Sequence, residues 1–390
     1  MAKLSIKDLN LKGKTVFIRV DFNVPLANGG KEITSDKRIA ASVPTIEYAL
    51  SQGATLILAS HLGRPKGKPN AEMSLAPIAT RLSEILGKPV AMATDCINVP
   101  KPAPGSILLL ENLRFHAEEE ANGPAFARQL AEGVDVYIND AFGTAHRAHA
   151  STVGMIPFVA EAAAGLLMDK ELEYLTRVTA NPEHPSVAII GGAKVSDKIE
   201  VINNLLRVCD KLLIGGAMAY TFLKSQGLPV GKSLVEEDKL DLAKELLAKF
   251  GSKLMLPVDH AVSPEFSATA GNSIVDLIPD GQMALDIGPK TIAAYIDVIS
   301  SARTIIWNGP MGVFEMPPFD KGTMAVAHAV ADATAKGAIS VVGGGDSEKA
   351  VKTAGISDKV SHVSTGGGAS LEFLSGLELP GVAALPSCNN

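Results

Sequence analysis

Basic side chains recur in the first half of this sequence at positions where a strand pattern gives way to a loop. They are His61 and Arg64 in "SHLGRP", Arg114 in "LENLRF", and His146, Arg147 and His149 in "GTAHRAHA". Arg38 opens the first helical stretch. Any one of them could be a surface ion-pair partner. A chain with a net charge of −6 that puts arginines at successive strand ends is instead building a local anion pocket, since guanidinium is always charged and presents a planar fork to carboxylate or phosphate. Asp21 and Asn23 belong to the same rim. In "TVFIRVDFNVP", residues 15–25, Val16, Ile18, Val20 and Phe22 alternate with Arg19, Asp21 and Asn23, the period of a strand. A strand covered by helices should be apolar on both faces, so the polar face needs a use. An acceptor and an amide beside arginines suit a small hydroxylated anion.

The second half repeats a different device, a strand running straight into glycines: "AIIGGAK", "LLIGGAM", "SVVGGGD" and "HVSTGGGA". Glycine lets backbone approach a phosphate, and a following helix offers free N–H groups and the positive end of its dipole. Four such turns on the rim of one sheet point to a nucleotide-type phosphate site. Lys194 and Lys198 in "GGAKVSDKIEVINNLL" are four apart, which predicts one helix face with Val195, Ile199, Ile202 and Leu206 on the buried side. Two cations at a helix start oppose the dipole unless an anion compensates. Asp346 ends "VVGGGD", where a carboxylate could hold Mg²⁺ beside phosphates; taken alone, a helix cap is the commoner use. Neither standard nucleotide fingerprint is present. There is no G-x-G-x-x-G, and "GLPVGKS" has one residue too few between its glycines and follows a helix instead of a strand.

The elements that must hold these residues are legible as alternating β-rich and amphipathic runs. "SDKRIAASVPTIEYALSQG" predicts a helix with Ser35 or Asp36 as N-cap and Gly53 as C-cap, and "LAPIATRLSEILG" a helix ending at Gly87. "ATLILAS", "SILLLE" and "VDVYIND" are further strands of the first half. After the charged helical stretch "MDKELEYLTRVTA", the turn-forming "NPEHP" marks a boundary. Strands resume with "SVAIIGG", "KLLIGG", "KLMLPVD", "MALDIG", "TIIWNG" and "ISVVGGG". This alternation predicts an α/β chain of two domains, each a parallel sheet flanked by helices. The length of 390 residues also calls for two cores. No apolar run reaches membrane-span length and "MAKLSIKDLN" has no apolar leader. Cys96, Cys209 and Cys388 lie outside any metal or redox spacing and suit a reducing cytoplasm. The net negative charge disfavours a nucleic-acid partner.

"RVDFNVP", "SHLGRP", "LENLRF", "DAFGTAHRAHAS", "GGAKVSDKI", "WNGPMGVFE", "GGGDS" and "STGGGASLEFL" together resemble the phosphoglycerate kinase family, in order and across nearly the whole chain. The resemblance implies reversible phosphoryl transfer from 1,3-bisphosphoglycerate to MgADP, giving 3-phosphoglycerate and MgATP, in a cytoplasmic monomer of two Rossmann-like domains joined by a hinge helix. It implies a phosphoglycerate-binding domain over 1–170, with 377–390 packing back on it, a linker over 171–184, and a nucleotide-binding domain over 185–376. Asp21, Phe22, Asn23, Arg38, His61, Leu62, Gly63, Arg64, Arg114 and Arg147 would hold the triose. Lys198, Glu315, Gly344, Gly345, Asp346 and Ser347 would hold the nucleotide, with Asp346 toward Mg²⁺ and Glu315 toward the ribose. Arg38, Lys194 and Gly366, Gly367 and Gly368 would surround the phosphoryl group in flight, with domain closure bringing the two sets together. Family members often carry threonine at the position of Ser347; the hydroxyl is kept. The rival readings are a nicotinamide-dependent oxidoreductase, which the missing glycine fingerprint and the arginine-rich first half oppose, and an inactive scaffold, which the intact Arg38, Lys194 and Asp346 oppose.

Overall fold

The computed structural model describes residues 3–388. The chain divides into two compact units, one formed by Met1–Glu173 with Glu378–Asn390, the other by Tyr174–Leu377. The helix Leu166–Thr179 runs through the division.

In the first unit six parallel strands lie in the order Val90–Met92, Ile107–Leu109, Thr55–Ala59, Thr15–Arg19, Val136–Asn139, Glu161–Ala164. Thr15–Arg19 is central and buried along its length. The chain moves outward from it on one side, then returns to its other flank at Val136–Asn139, so the strand order reverses there. Open parallel sheets bind ligands at such a reversal, outside the carboxyl ends of the strands. The register sets Arg19 level with both Ala59 and Asn139. The residues that follow, including Asp21, His61 and Asp140, therefore leave the sheet at one rim. Ile18, Leu58, Ile39, Ile46 and Ile78 are among the side chains of the core beneath. The segment Glu378–Ser387 returns to this unit: the Leu4 N–H donates to Pro386 O (2.9 Å), and the Gly381 N–H to Ala145 O (2.8 Å).

The second unit repeats the plan with Leu254–Met255, Lys211–Ile214, Ser186–Ile190, Thr304–Asn308, Ile339–Val342 and His362–Val363, all parallel. Its reversal lies between Ser186–Ile190 and Thr304–Asn308. Asn308 is level with Ile190, so Gly191 and Gly309 exit side by side. A Cβ on Gly191 would come within 1.9 Å of Pro310 O; only glycine permits the two backbones to meet there.

Several local expectations need correction. "MALDIG" is not part of the parallel sheet: Met283–Ile287 pairs antiparallel with His260–Ser263, which also pairs with Ser273–Val275 in a separate three-stranded sheet. Period-two burial marks a strand but carries no record of its partner. The helix Lys37–Ser51 has Asp36 at its N-cap position without a side-chain cap bond, because the Asp36 carboxylate takes the Arg81 guanidinium instead (2.7 Å). Gln52 occupies the C-cap and Gly53, at φ +80°, follows it. Glu161–Ala164 is a strand despite the sequence "EAAA"; alanine favours helix on its own, and sheet pairing with Val136–Asn139 overrides it.

Candidate active site

On the rim of the first unit, the Asp21 carboxylate accepts from the Asn23 N–H (3.1 Å) and from Arg38 Nη1 (2.8 Å). The Asn23 side-chain oxygen accepts the Gly63 N–H (2.9 Å), and the Gly63 carbonyl accepts from Arg114 Nη1 (2.9 Å). The polar face of "VDFNVP" thus fixes both the first helix and the "SHLGRP" loop. Phe22 is buried and its N–H donates to Ser60 Oγ (2.8 Å). The buried Asn112 holds Leu62 at both ends, accepting its N–H (3.1 Å) and donating to its carbonyl (2.7 Å). Arg64 is exposed and Arg147 half-buried, and among the described residues neither has a carboxylate partner. Arg147 Nε donates to His146 Nε2 (3.3 Å).

Three residues outside the expected set organise this rim. Arg19 has no exposed surface; its Nε donates to Ser151 Oγ (2.8 Å), Nη1 to the Val20 carbonyl, and Nη2 to His61 Nδ1 (3.2 Å). Ser151, on the π-helical turn Ala150–Gly154, donates in turn to the buried Glu119 (2.5 Å). Burial pushes the Glu119 carboxyl upward in pKa, and the Arg19 charge opposes that shift. Since guanidinium only donates, His61 Nδ1 must accept, which leaves the proton on Nε2. Burial, with Arg19, Arg114 and Arg38 adding to it, holds the His61 pKa well below its ordinary value. His149 is lowered to about 4 by burial and by Arg114, Arg19 and Arg147. Both imidazoles are therefore neutral at pH 7, although Arg38 pairs with Asp21 (2.8 Å), Arg114 Nε lies 3.6 Å from Glu120, and Glu119 offsets Arg19. Arg19 was visible in sequence on the polar face of its strand; its burial, and the partners Ser151 and Glu119, were not.

On the second rim, Lys194 and Lys198 do not share a helix face. The helix begins at Ile199, with Lys198 at the N-cap and Lys194 exposed in the loop before it, where the Ser196 N–H (3.1 Å) and hydroxyl both donate to the Glu236 carboxylate. Val195, Ile202 and Leu206 are buried, Ile199 only partly. Lys198 Nζ donates to Asn308 Oδ1, and Asn308 Nδ2 to the Gly343 carbonyl (2.8 Å). Burial lowers the Lys198 pKa, with Asp346 opposing that shift. Gly344 sits at φ +93°, and a Cβ there would lie 2.9 Å from Asn308 Nδ2. Glycine is needed both for the turn and for the lysine bridge beneath it. Gly345 opens the helix Gly345–Thr353. Asp346 lies in its first turn and the N-cap is Gly344, so its carboxylate is not the cap that its position suggested. The buried Ser347 instead accepts the Gly309 N–H (2.6 Å). Gly367, at φ +52°, is the N-cap of the helix Gly368–Leu374, and the Gly366 N–H donates to Ser364 Oγ (3.2 Å).

Beside this rim lies a cavity of about 480 Å³. Its walls include Gly192, Tyr220, Leu285 and Val313, and Glu315 and Asp346 both reach it. Lys349 Nζ lies 3.0 Å from the Glu315 carboxylate. An apolar slot edged by acids and opening on glycine turns is suited to a flat base with a hydroxylated sugar and phosphates. "GLPVGKS" makes no phosphate loop: the Lys232 N–H is spent on Gln282 O (2.7 Å) and its Nζ on Pro264 O (3.1 Å).

Residues 6–377 match the family model described as phosphoglycerate kinase. The chain belongs to the phosphoglycerate kinase family. It is 68% identical over 392 residues to the phosphoglycerate kinase of Solibacter usitatus, covering 99% of this chain and 100% of that one. The enzyme of Acidobacterium capsulatum is 60% identical, with 99% of each chain covered. The solved phosphoglycerate kinase of Coxiella burnetii superposes with a TM-score of 0.93 at 44% identity, covering 98% of both chains. That of Pyrococcus horikoshii gives 0.82 at 34%, covering 99% of this chain and 98% of that one. As a phosphoglycerate kinase, the chain is a phosphotransferase that acts on small-molecule substrates and uses ATP and ADP. Among the described residues no helix is long and apolar enough to cross a membrane.

Proposed function

We propose that the arginine rim of the first unit holds the triose and the glycine rim of the second holds the nucleotide, in the transfer of a phosphoryl group from 1,3-bisphosphoglycerate to ADP and its reverse. The observation that carries this reading is the first rim's excess of positive charge, which Asp21 beside Arg38 and Glu120 beside Arg114 offset only in part. Arg64 and Arg147 lack acid partners among the described residues, and the surrounding guanidinium groups depress both buried histidines. An anion would neutralise that field. His61 Nε2–H and the exposed side of Arg38 would donate to the triose, Asp21 and Asn23 would take its hydroxyl, and Arg64, Arg114 and Arg147 would face its phosphate. The backbone of Phe22, Leu62 and Gly63 shapes the floor.

In the second unit, Lys198 would meet the nucleotide phosphates with Gly344, Gly345 and Ser347, and Glu315 the ribose. Asp346 lies inside the helix whose N-cap is Gly344 and reaches the cavity; as a hard oxygen donor its carboxylate fits Mg²⁺ carried on those phosphates. When bound, the ion would neutralise phosphate charge. The chain's own residues supply position and cations. No general base is needed, because the attacking oxygen is already a phosphate or a carboxylate. Arg38, Lys194 and the N–H groups of Gly367 and Gly368 would stabilise the group in flight, once closure of the two units gathers them and excludes water. We further propose that the enzyme acts as a monomer, since each rim is completed by its own unit's residues, and in the cytoplasm, whose reducing conditions suit its three free cysteines. Coupled measurement of ATP formation from 1,3-bisphosphoglycerate and MgADP tests the whole reading. Activity that survived neutral replacement of Arg64, Arg114 and Arg147 together would overturn the assignment of the triose rim.

A further inference from the structure

Away from both rims, the first unit gathers a carboxylate, a thiol and an imidazole. Asp95 and Cys96 lie in the loop after the edge strand Val90–Met92, and His116 follows the turn Leu113–Phe115. Nothing in their spacing along the chain announces a site. The sheet supplies it: Val90–Met92 pairs with Ile107–Leu109, so the segments that leave the two strands run side by side. The Ala93 N–H donates to Leu109 O (2.9 Å) and the Glu111 N–H to Asp95 O (3.3 Å), continuing the alignment. His116 Nε2 lies 2.7 Å from Asp95 Oδ1, which also accepts the Cys96 N–H (2.6 Å). One ligating atom from each of the three side chains lies within 4.8 Å of the others.

We propose that Asp95, Cys96 and His116 form a binding site for a divalent transition-metal ion of the zinc class, with a fourth position open to the adjoining cavity. The donor set is one nitrogen, one sulfur and one oxygen, which suits zinc or cobalt and not magnesium. Bonds of about 2.0–2.3 Å in a tetrahedral site put neighbouring donors roughly 3–4 Å apart, so small side-chain rotations suffice. The cavity, about 780 Å³ and lined by Thr94, Asp95, Glu111 and His116 among others, gives an ion and a water ligand access. Glu111 stays outside the set, since its carboxylate accepts from Ser74 Oγ (2.6 Å) and the Leu75 N–H (2.9 Å). Cys96 is 2% exposed, shielding its sulfur from solvent. Binding would release the Cys96 proton to solvent and leave the imidazole proton on Nδ1. Thiolate and carboxylate would then neutralise the ion's two charges, with no change of oxidation state.

The test is titration of the metal-free full-length protein with Co²⁺, then displacement by Zn²⁺. The expected result is one equivalent showing a thiolate-to-cobalt charge-transfer band. Cys96→Ser should abolish the band, and His116→Gln should weaken affinity at least about tenfold. Affinity should fall as pH falls, because a proton competes for the sulfur. If a variant folds poorly, the melting temperature of the wild type supplies a second readout: Zn²⁺ should raise it, and should not raise that of His116→Gln. Absence of the band, a band that survives Cys96→Ser, or equal affinity in His116→Gln would overturn the proposal. Asp95 and His116 would then be a hydrogen-bonded pair that ties the loop to the helix Ala117–Glu120.

Discussion

Replacing Arg19 by methionine keeps much of the side chain's volume but removes its charge and donors. Three groups lose a partner: Ser151 Oγ, the Val20 carbonyl and His61 Nδ1. More costly is Glu119, which has no exposed surface and whose charge Arg19 offsets through the shared serine. Removing one partner of a buried charge pair typically costs about 3–5 kcal/mol, because the other charge is left in a low-dielectric site. Domains of 150–250 residues lose roughly 2–4 °C per kcal/mol, so Arg19→Met should lower the Tm of this unit by about 6–20 °C. The second arm is Arg19→Met combined with Glu119→Gln, which removes the stranded charge and keeps an acceptor for Ser151. It should recover about half the loss. Calorimetry on the wild type, both single variants and the double variant closes the cycle. Additive effects, with no recovery in the double variant, would refute the claim that Arg19 and Glu119 form one buried unit.

The other expectations concern catalysis and pH. Arg38→Ala and Lys194→Ala should each lower kcat by on the order of 10²-fold or more with smaller effects on KM; steady-state kinetics showing a change in KM alone would remove that residue from the transferring group. Lys198→Ala should raise the nucleotide KM, and it also frees Asn308 Oδ1; unchanged nucleotide affinity would make this lysine a purely structural bridge. Burial pushes the Asp140 carboxyl up to about 7 from 3.8. A raised carboxyl pKa favours folding below the unfolded value, and that stability is lost as pH rises through the folded one. Asp140→Asn should therefore flatten the stability curve between about pH 4 and 7 by on the order of 2–4 kcal/mol, and parallel curves from chemical denaturation would exclude the effect. Small-angle scattering should show a smaller radius of gyration only when triose and nucleotide are both bound, since neither ligand alone rewards closure; a constant radius in an active enzyme rules that out.

What the sequence determined on its own was periodicity and chemistry. Alternating apolar runs specified strands and helices, and strand-to-glycine turns specified where backbone could approach phosphate. The polar residues of "RVDFNVP" declared a face that packing could not explain. These signals are local, because a side chain's preference for strand or helix and a glycine's freedom depend on a few neighbouring residues. Tertiary structure alone decided which partners those residues have. The antiparallel pairing of Met283–Ile287, the strand at "EAAA" and the turn that separates Lys194 from the helix at Ile199, where Ser196 meets Glu236, all depend on segments distant in the chain. So do the burial of Arg19 against Ser151 and the meeting of Asp95 and Cys96 with His116. A strand carries no mark of its neighbour, and a buried charge none of its counter-charge, until sheet register brings them level.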